Sequence, residues 1–190
     1  FNDKYQGIPI GGYNKLIEGL LSGTECITGT DFFHSEYKDW HKYAKKLVYT
    51  GAIDEYFNYT FGKLDWRTVT FQSRIENTPN YQGNAVVNYT SHEKPYTRVI
   101  EHKHFESFGP DVYKNPKTVV SEEYSTEYED GMEPYYPVND QRNTSLLQKY
   151  LELTKKEEHV IFAGRLAEYK YYDMAPTIER AMQLWQEEAK

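Results

Sequence analysis

Between residues 65 and 130 the sequence alternates apolar and polar side chains in four runs, WRTVTFQSRIE, GNAVVNYTS, YTRVIEHKHF and KTVVSEEYSTEY, with Pro, Asn and Gly between them. A period of two sends successive side chains to opposite faces of a strand, and the intervening residues are turn formers, so the spacing predicts an antiparallel sheet. The flanks read differently. YQGIPIGGYNKLIEGLLSG predicts a short strand, a Gly-Gly turn and a helix with Tyr13, Leu16, Ile17, Leu20 and Leu21 on one face, stopped by Gly23. ECITG is a further short strand, KKLVYTG a strand ended by Gly51, and AIDEYFNYTFG helix-like, which together suggest part of an α/β layer. After the sheet, NTSLLQKYLELTKK predicts a helix with an Asn/Thr cap, and HVIFAG a short buried strand. APTIERAMQLWQEEAK predicts a last helix with Pro176 in its first turn and Ile178, Ala181, Met182 and Trp185 on one face. The fold class is therefore mixed α/β and α+β, with one chain crossing between an α/β layer and a β-sheet layer.

Composition narrows the function. Hydrophobic residues make up only 38% of 190, but 19 tyrosines supply part of the burial that Leu and Val usually provide, and they equally suit surfaces that grip polar, ring-containing ligands. A net charge of −7, with acids and bases interspersed, argues against a nucleic-acid partner. No run approaches the roughly 18 apolar residues of a membrane span, and no secretory leader opens the chain, so membrane insertion is not expected. With Cys26 alone there is no intrachain disulfide, and a reducing cytoplasm is the default. The first residue is Phe1 rather than Met, in a stretch that reads as extended, as in a piece of something longer.

Several stretches could carry chemistry. In HVIFAGRLAEYKYYDM a buried strand ends at Gly164, where something can approach the backbone, and Arg165 places a fixed cation just beyond it. Ligands of open α/β sheets lie beyond such strand ends, and the helix after Pro176 could turn its amides to an anion; simple turn and salt-bridge chemistry is the other reading. Arg98 stands between aromatics and suits a bidentate grip on phosphate or carboxylate. His102 and His104 share a strand face, either as metal ligands lacking a third partner or as hydrogen-bonded strand histidines. Tyr135 and Tyr136 lie between two prolines that stiffen their placement, for ligand contact or for covering a core. The 29 acidic residues offer glycosidase-like pairs only by number, and no GxSxG elbow, Walker loop or GxGxxG is present.

In order and spacing, YQGIPIGGYNKLIE, YTGAIDEYF, YQGNAVVNYT, YTRVIEHKHF, EPYYPVND and FAGRLAEYKYYDM resemble the C-terminal half of bacterial UDP-galactopyranose mutases, from about residue 1 to 185. The resemblance implies a partial FAD-binding Rossmann-like layer packed with a twisted antiparallel sheet. Residues 1–62 and 158–190 would belong to the FAD layer, and residues 63–157 to the substrate sheet and the helix after it. The family's dinucleotide fingerprint, most of its helical domain, its lid and a second phosphate-gripping arginine would precede Phe1.

The implied reaction interconverts UDP-galactopyranose and UDP-galactofuranose, for cell-surface galactofuranose, with reduced FAD as the cofactor; this portion alone, with half of the FAD layer, is expected to hold FAD weakly and to be inactive. By the same resemblance Arg98 clamps the diphosphate, Tyr5, Tyr136 and Tyr171 face phosphate, and Asn88 and Asp173 shape the substrate cleft. Arg98, Asp173 and Arg67 are the implied catalytic residues. Cys26, Thr50, Gly51, Gly164, Arg165 and Met174 are implied at the cofactor. Ala163 departs from the family pattern, which has Gly there. UDP-galactose is the expected partner, with a homodimer formed through the apolar faces of the first and last helices, and no metal is expected. Two other readings stay open: a non-catalytic nucleotide-sugar-binding fragment, and a flavin amine oxidase relative, which would have no use for Arg98 and the YKYYD tyrosines.

Overall fold

The structure, a computed structural model, describes residues 4–188. The ends of the expected flanking segments, residues 1–3 and 189–190, lie outside the described residues. In chain order the elements are α1 (Gly12–Leu20), β1 (Leu47–Tyr49), α2 (Ile53–Tyr56), β2 (Trp66–Glu76), β3 (Val86–Asn88), β4 (Arg98–Glu101), β5 (Thr118–Glu127), β6 (Tyr136–Pro137), α3 (Gln141–Thr154), β7 (Val160–Phe162), α4 (Gly164–Ala167) and α5 (Met174–Glu188), with short 3-10 turns among them. The fold mixes helix and sheet, as the two periodicities predict. A five-stranded sheet has the order β3-β4-β5-β2-β6, and β1 pairs with β7 in parallel. The pairs β3/β4, β4/β5 and β2/β6 are antiparallel. Chain contacts define two compact units, Phe1–Lys38 with Phe71–Glu123, and Asp39–Thr70 with Tyr124–Lys190.

The second unit holds the main apolar cluster: Ile53, Leu64, Trp66, Leu146, Tyr150 and Tyr169. Its irregular stretch from Phe57 to Asp65 is held by buried polar side chains instead of a ladder. Asp54 accepts from Leu64 N at 2.8 Å, Asn143 Oδ1 from Asp65 N at 2.9 Å, and Tyr150 Oη from Phe61 N at 3.1 Å while donating to Gly62 O at 2.8 Å. Tyr169 Oη donates to Asp65 O and accepts from Val138 N at 3.0 Å. Each bond satisfies a backbone group that burial would otherwise leave without a partner.

In the first unit β4 runs between β3 and β5, with Val99 and Val120 buried. Glu101, fully buried, accepts from the amides of Tyr81 at 2.9 Å and Gln82 at 2.8 Å. Burial is the largest single influence and raises its carboxyl, but the amides of Gln82 and Tyr81 together with the Thr118 and His104 side chains outweigh it and hold the carboxyl below the usual range.

Five local expectations are corrected. Residues 5–10 form no strand: Pro9 has no N–H to give a ladder, and its carbonyl instead accepts from Gly12 N at 2.9 Å. ECITG is likewise irregular, with Cys26 and Ile27 exposed and no strand partner among the described residues. The helix after Gly51 lasts one turn, because Asn58 and Tyr59 take left-handed φ of 50° and 53° and turn the chain back over Tyr150. His102 and His104 lie on a 3-10 turn that begins immediately after Glu101, the last ladder residue of β4, so they share no strand face. The cap of α3 is Asp140, whose Oδ1 accepts from Asn143 N at 2.7 Å, since the helix starts before the expected Asn and Thr.

Two outcomes follow from the buried phenols. Tyr150→Phe removes both bonds to the 61–62 backbone without opening a large cavity, and urea unfolding should show a loss of about 1–3 kcal/mol. Burial pushes the Tyr169 phenol up to about 12. The folded state thus keeps a proton that the unfolded state loses near pH 10, so this stabilisation is complete below about pH 10 and fades as pH rises towards 12. Urea midpoints measured across that window should fall, and Tyr169→Phe should flatten the fall.

Candidate functional site

The carboxyl ends of the parallel pair β1 and β7 bring Thr50 and Gly164 together: a Cβ built on Gly164 would lie 3.8 Å from Thr50 Cβ, in ordinary contact. Gly164 has φ +85°, a left-handed conformation that lets the chain leave β7 and start α4 at once. Gly51 has a different local need. Its Cβ would meet the Tyr49 phenol oxygen at 2.4 Å, because that phenol folds over to donate to Ala52 O at 3.1 Å. Gly51 is thus needed for the close approach of the Tyr49 phenol and Gly164 for the left-handed turn beside Thr50, both just beyond the strand ends where ligands of α/β layers lie.

Just past that edge, Arg165 donates to Tyr135 O and its guanidinium lies 4.8 Å from the centre of the Tyr171 ring. Tyr136 stacks on Tyr171 with centroids 5.4 Å apart and planes at 27°. Tyr171 Oη donates to Asp173 Oδ1 at 2.8 Å, and this bond, ahead of burial, raises the phenol above its ordinary value. The β6 register sets Tyr136 opposite Arg67, and Tyr135 N donates to Arg67 O at 3.1 Å, so β2 places these tyrosines. Arg67 itself donates to Glu127 and to Ser125 Oγ at 3.1 Å. Met174 opens α5 and is exposed. The cluster of Arg165, Tyr136, Tyr171 and Asp173 is thus a half-open surface of stacked phenols with one cation and one carboxylate.

The first unit carries a second cluster. Asn88, Arg98 and Glu123 are in register across β3, β4 and β5. Arg98 Nε donates to Asn88 Oδ1 at 3.0 Å and Nη1 to Glu123 Oε2 at 3.4 Å, while Thr97 Oγ1 donates to Glu123 Oε1 at 3.1 Å. Asn88 and Glu123 hold the guanidinium on the sheet with part of its donor set still open to solvent. Tyr5 is exposed with the Lys4 ammonium 5.2 Å from its ring centre, and Cys26 is exposed in the loop after α1. The described contacts bring neither of them to Arg98.

The sequence reading overlooked the acids Glu123 and Glu127 that pair with Arg98 and Arg67. Alternation in KTVVSEEYSTEY was the signal available for them, since 123, 125 and 127 share one face of β5. His102 Nε2 lies 2.7 Å from Ser121 Oγ, and His104 Nε2 lies 3.1 Å from Glu101 Oε2, so the structure gives both histidines protein neighbours. Among the described residues no group of three or more His, Cys, Asp or Glu could hold a metal. No helix among them is long and apolar enough to cross a membrane.

Asp173→Asn removes the acceptor that keeps the Tyr171 proton in place. The Tyr171 titration should then move down towards the ordinary value of about 10, followed by NMR of the labelled ring carbon.

Comparison with known proteins gives a consistent result. The family model described as UDP-galactopyranose mutase matches residues 1–171. A probable UDP-galactopyranose mutase of Klebsiella pneumoniae is 35% identical over 96% of this chain and 46% of its own length. A dTDP-fucopyranose mutase of Escherichia coli is 32% identical over 96% of this chain and 48% of its own length. The UDP-galactopyranose mutase of Mycoplasma genitalium is 37% identical over 94% of this chain and 47% of its own length. The chain spans about half the length of the curated relatives it matches.

Proposed function

The chain belongs to the UDP-galactopyranose mutase family, and from that premise we propose that it is the substrate-gripping portion of a flavin-dependent mutase that interconverts UDP-galactopyranose and UDP-galactofuranose. The observation that carries this reading is the Arg165–Tyr171–Asp173 cluster with its stacked Tyr136: a cation, phenols and a carboxylate facing solvent beyond a parallel strand end. Residues 1–62 and 158–190 are assigned to a Rossmann-like FAD layer, and residues 63–157 to the substrate sheet with its helix.

The residues present fit a flavin at the β1/β7 edge in that the parallel strands end together at Thr50 and Gly164, and the left-handed Gly164 turns the chain away just beyond them. Cys26, Thr50, Gly51, Gly164, Arg165 and Met174 are assigned to hold it. Reduced FAD, when bound, supplies the chemistry of the ring contraction. The chain's own groups position and neutralise. Arg98 grips the diphosphate, its plane set by Asn88, and Glu123 offsets its charge until an anion with better geometry displaces that long contact. Tyr5, Tyr136 and Tyr171 donate hydroxyl protons to phosphate oxygens, which stabilises charge as the nucleotide leaves. For Tyr171 this means exchanging Asp173 for phosphate as acceptor, which frees that carboxylate for the galactose end of the cleft. Arg67 adds positive potential near the reacting sugar.

UDP-galactose is the assigned substrate, the compartment a reducing cytoplasm, and a homodimer the assigned assembly. The half-length coverage of the relatives favours one further reading, a nucleotide-sugar-binding portion without turnover of its own. The relative named for dTDP-fucopyranose makes that nucleotide sugar the natural competitor in a binding test.

Absorbance titration of the purified chain with FAD and then UDP tests the assignment. A bound-flavin spectrum perturbed by UDP would mean that this portion assembles a usable cleft, and a colourless protein would place cofactor binding outside it; Arg98→Ala should weaken UDP about ten- to a hundredfold. Unchanged UDP affinity in that variant would remove Arg98 from the clamp. Turnover by the flavin-loaded chain separates the mutase from the binding portion.

A further inference from the structure

A cavity of about 850 Å³ opens on the first unit, walled by Phe71, Ile100, Phe108 and Val119 together with Lys103, Lys117 and His102. The β4/β5 register, which sets Ile100 opposite Ser121, builds its floor from the sheet, and the 3-10 turns between Glu106 and Lys114 build its rim. None of the clamp or cofactor residues assigned above lines it.

Its charge is opposite to that of the chain. The whole sequence carries −7, yet the cavity wall has two lysines and no Asp or Glu. Lys103 is nearly fully buried, which is rare for an ammonium without a carboxylate partner. Its Nζ donates to Pro79 O at 2.7 Å and to Asn115 O at 3.1 Å. Those carbonyls satisfy two of its three protons and leave its charge without a counter-ion, since neither lysine forms an ion pair among the described residues. Nearby, His102 Nε2, Ser121 Oγ and Ser73 Oγ form a chain with steps of 2.7 Å, three wall residues able to share hydrogen bonds with a polar group. Phe71, Phe108 and Val119 expose apolar surface around them. A space in the usual range for small ligands, apolar in its walls and cationic in its only fixed charges, selects for one ligand class.

We propose that this cavity binds a small anionic amphiphile, its acidic head at the Lys103 and Lys117 wall and its apolar body against Phe71, Ile100, Phe108 and Val119. The site is separate from the nucleotide-sugar reading and stands or falls without it.

Octanoate and its neutral isostere 1-octanol, titrated calorimetrically into the full chain, test the proposal. Octanoate should bind, and octanol at least about tenfold more weakly, because a neutral head gains little from the lysines. Lys103→Met should weaken octanoate about tenfold and leave octanol unchanged. Should that variant not fold, Lys117→Met gives the same comparison from an exposed position. Val119→Trp fills the cavity and should abolish octanoate binding with the circular dichroism and Tm retained. Equal affinity for the two probes, no octanoate binding, or binding untouched by Val119→Trp would each overturn the proposal. Sedimentation showing a dimer broken by Val119→Trp, without octanoate binding, would assign the cavity to a second copy of the chain instead.

Discussion

The backbone between Phe57 and Asp65 has no ladder of its own, and the second unit depends on how four buried polar side chains hold it. Asp54 and Asn143 accept from amides in residues 61–65, Tyr150 accepts from one and donates to a carbonyl there, and Tyr169 donates to Asp65 O. An unpaired buried backbone group costs about as much as a lost hydrogen bond, so these contacts fix the path of the chain and not only its stability. They deliver Trp66 to the core and Arg67 to the start of β2. From there the β2/β6 register sets Tyr136, and Tyr135 O in turn receives Arg165. The candidate site is therefore built at the end of a chain of fixed backbone positions.

Electrostatics in both units follow one pattern. Each candidate arginine has a partner that orients it without closing its whole donor set: Asn88 and Glu123 for Arg98, Ser125 and Glu127 for Arg67, Tyr135 O for Arg165. The exposed Arg67–Glu127 pair is worth little in water, on the order of 0–1 kcal/mol, so an incoming anion can displace that carboxylate at small cost, whereas Glu123 is buried beside Arg98 and is also held by Thr97. Orientation by neutral acceptors persists through that exchange, which lowers the entropy lost when the anion is gripped. Lys103 shows the other solution, a buried cation held by carbonyls alone.

The sheet and the later helices were legible because their periodicities are long and unambiguous. β2 spans the WRTVTFQSRIE run from end to end, and α5 shows an apolar face made of Ile178, Met182 and Trp185. The short apolar runs were not legible in the same way. YQGIPI and ECITG have strand-like composition, but a strand exists only where another edge supplies hydrogen bonds, and no local signal says whether one will. HVIFAG has the same composition and did find β1. The one-turn α2 was hidden for a related reason: its end is decided by left-handed Asn58 and Tyr59, whose conformation serves the distant Tyr150.

By itself the sequence determined the family, through motifs whose order and spacing carry over most of the chain, and it supplied the candidate groups of the proposed site, Arg98, Arg165 and the EPYYPVND and YKYYDM tyrosines. Only the tertiary structure decided the partners of those groups. Glu123 meets Arg98 because three strands are in register, Tyr136 meets Tyr171 because β6 joins β2, and Lys103 is buried at an apolar cavity because a distant loop lends it a carbonyl. Side-chain identity is local information, whereas pairing, burial and charge balance are set by segments far apart in the chain.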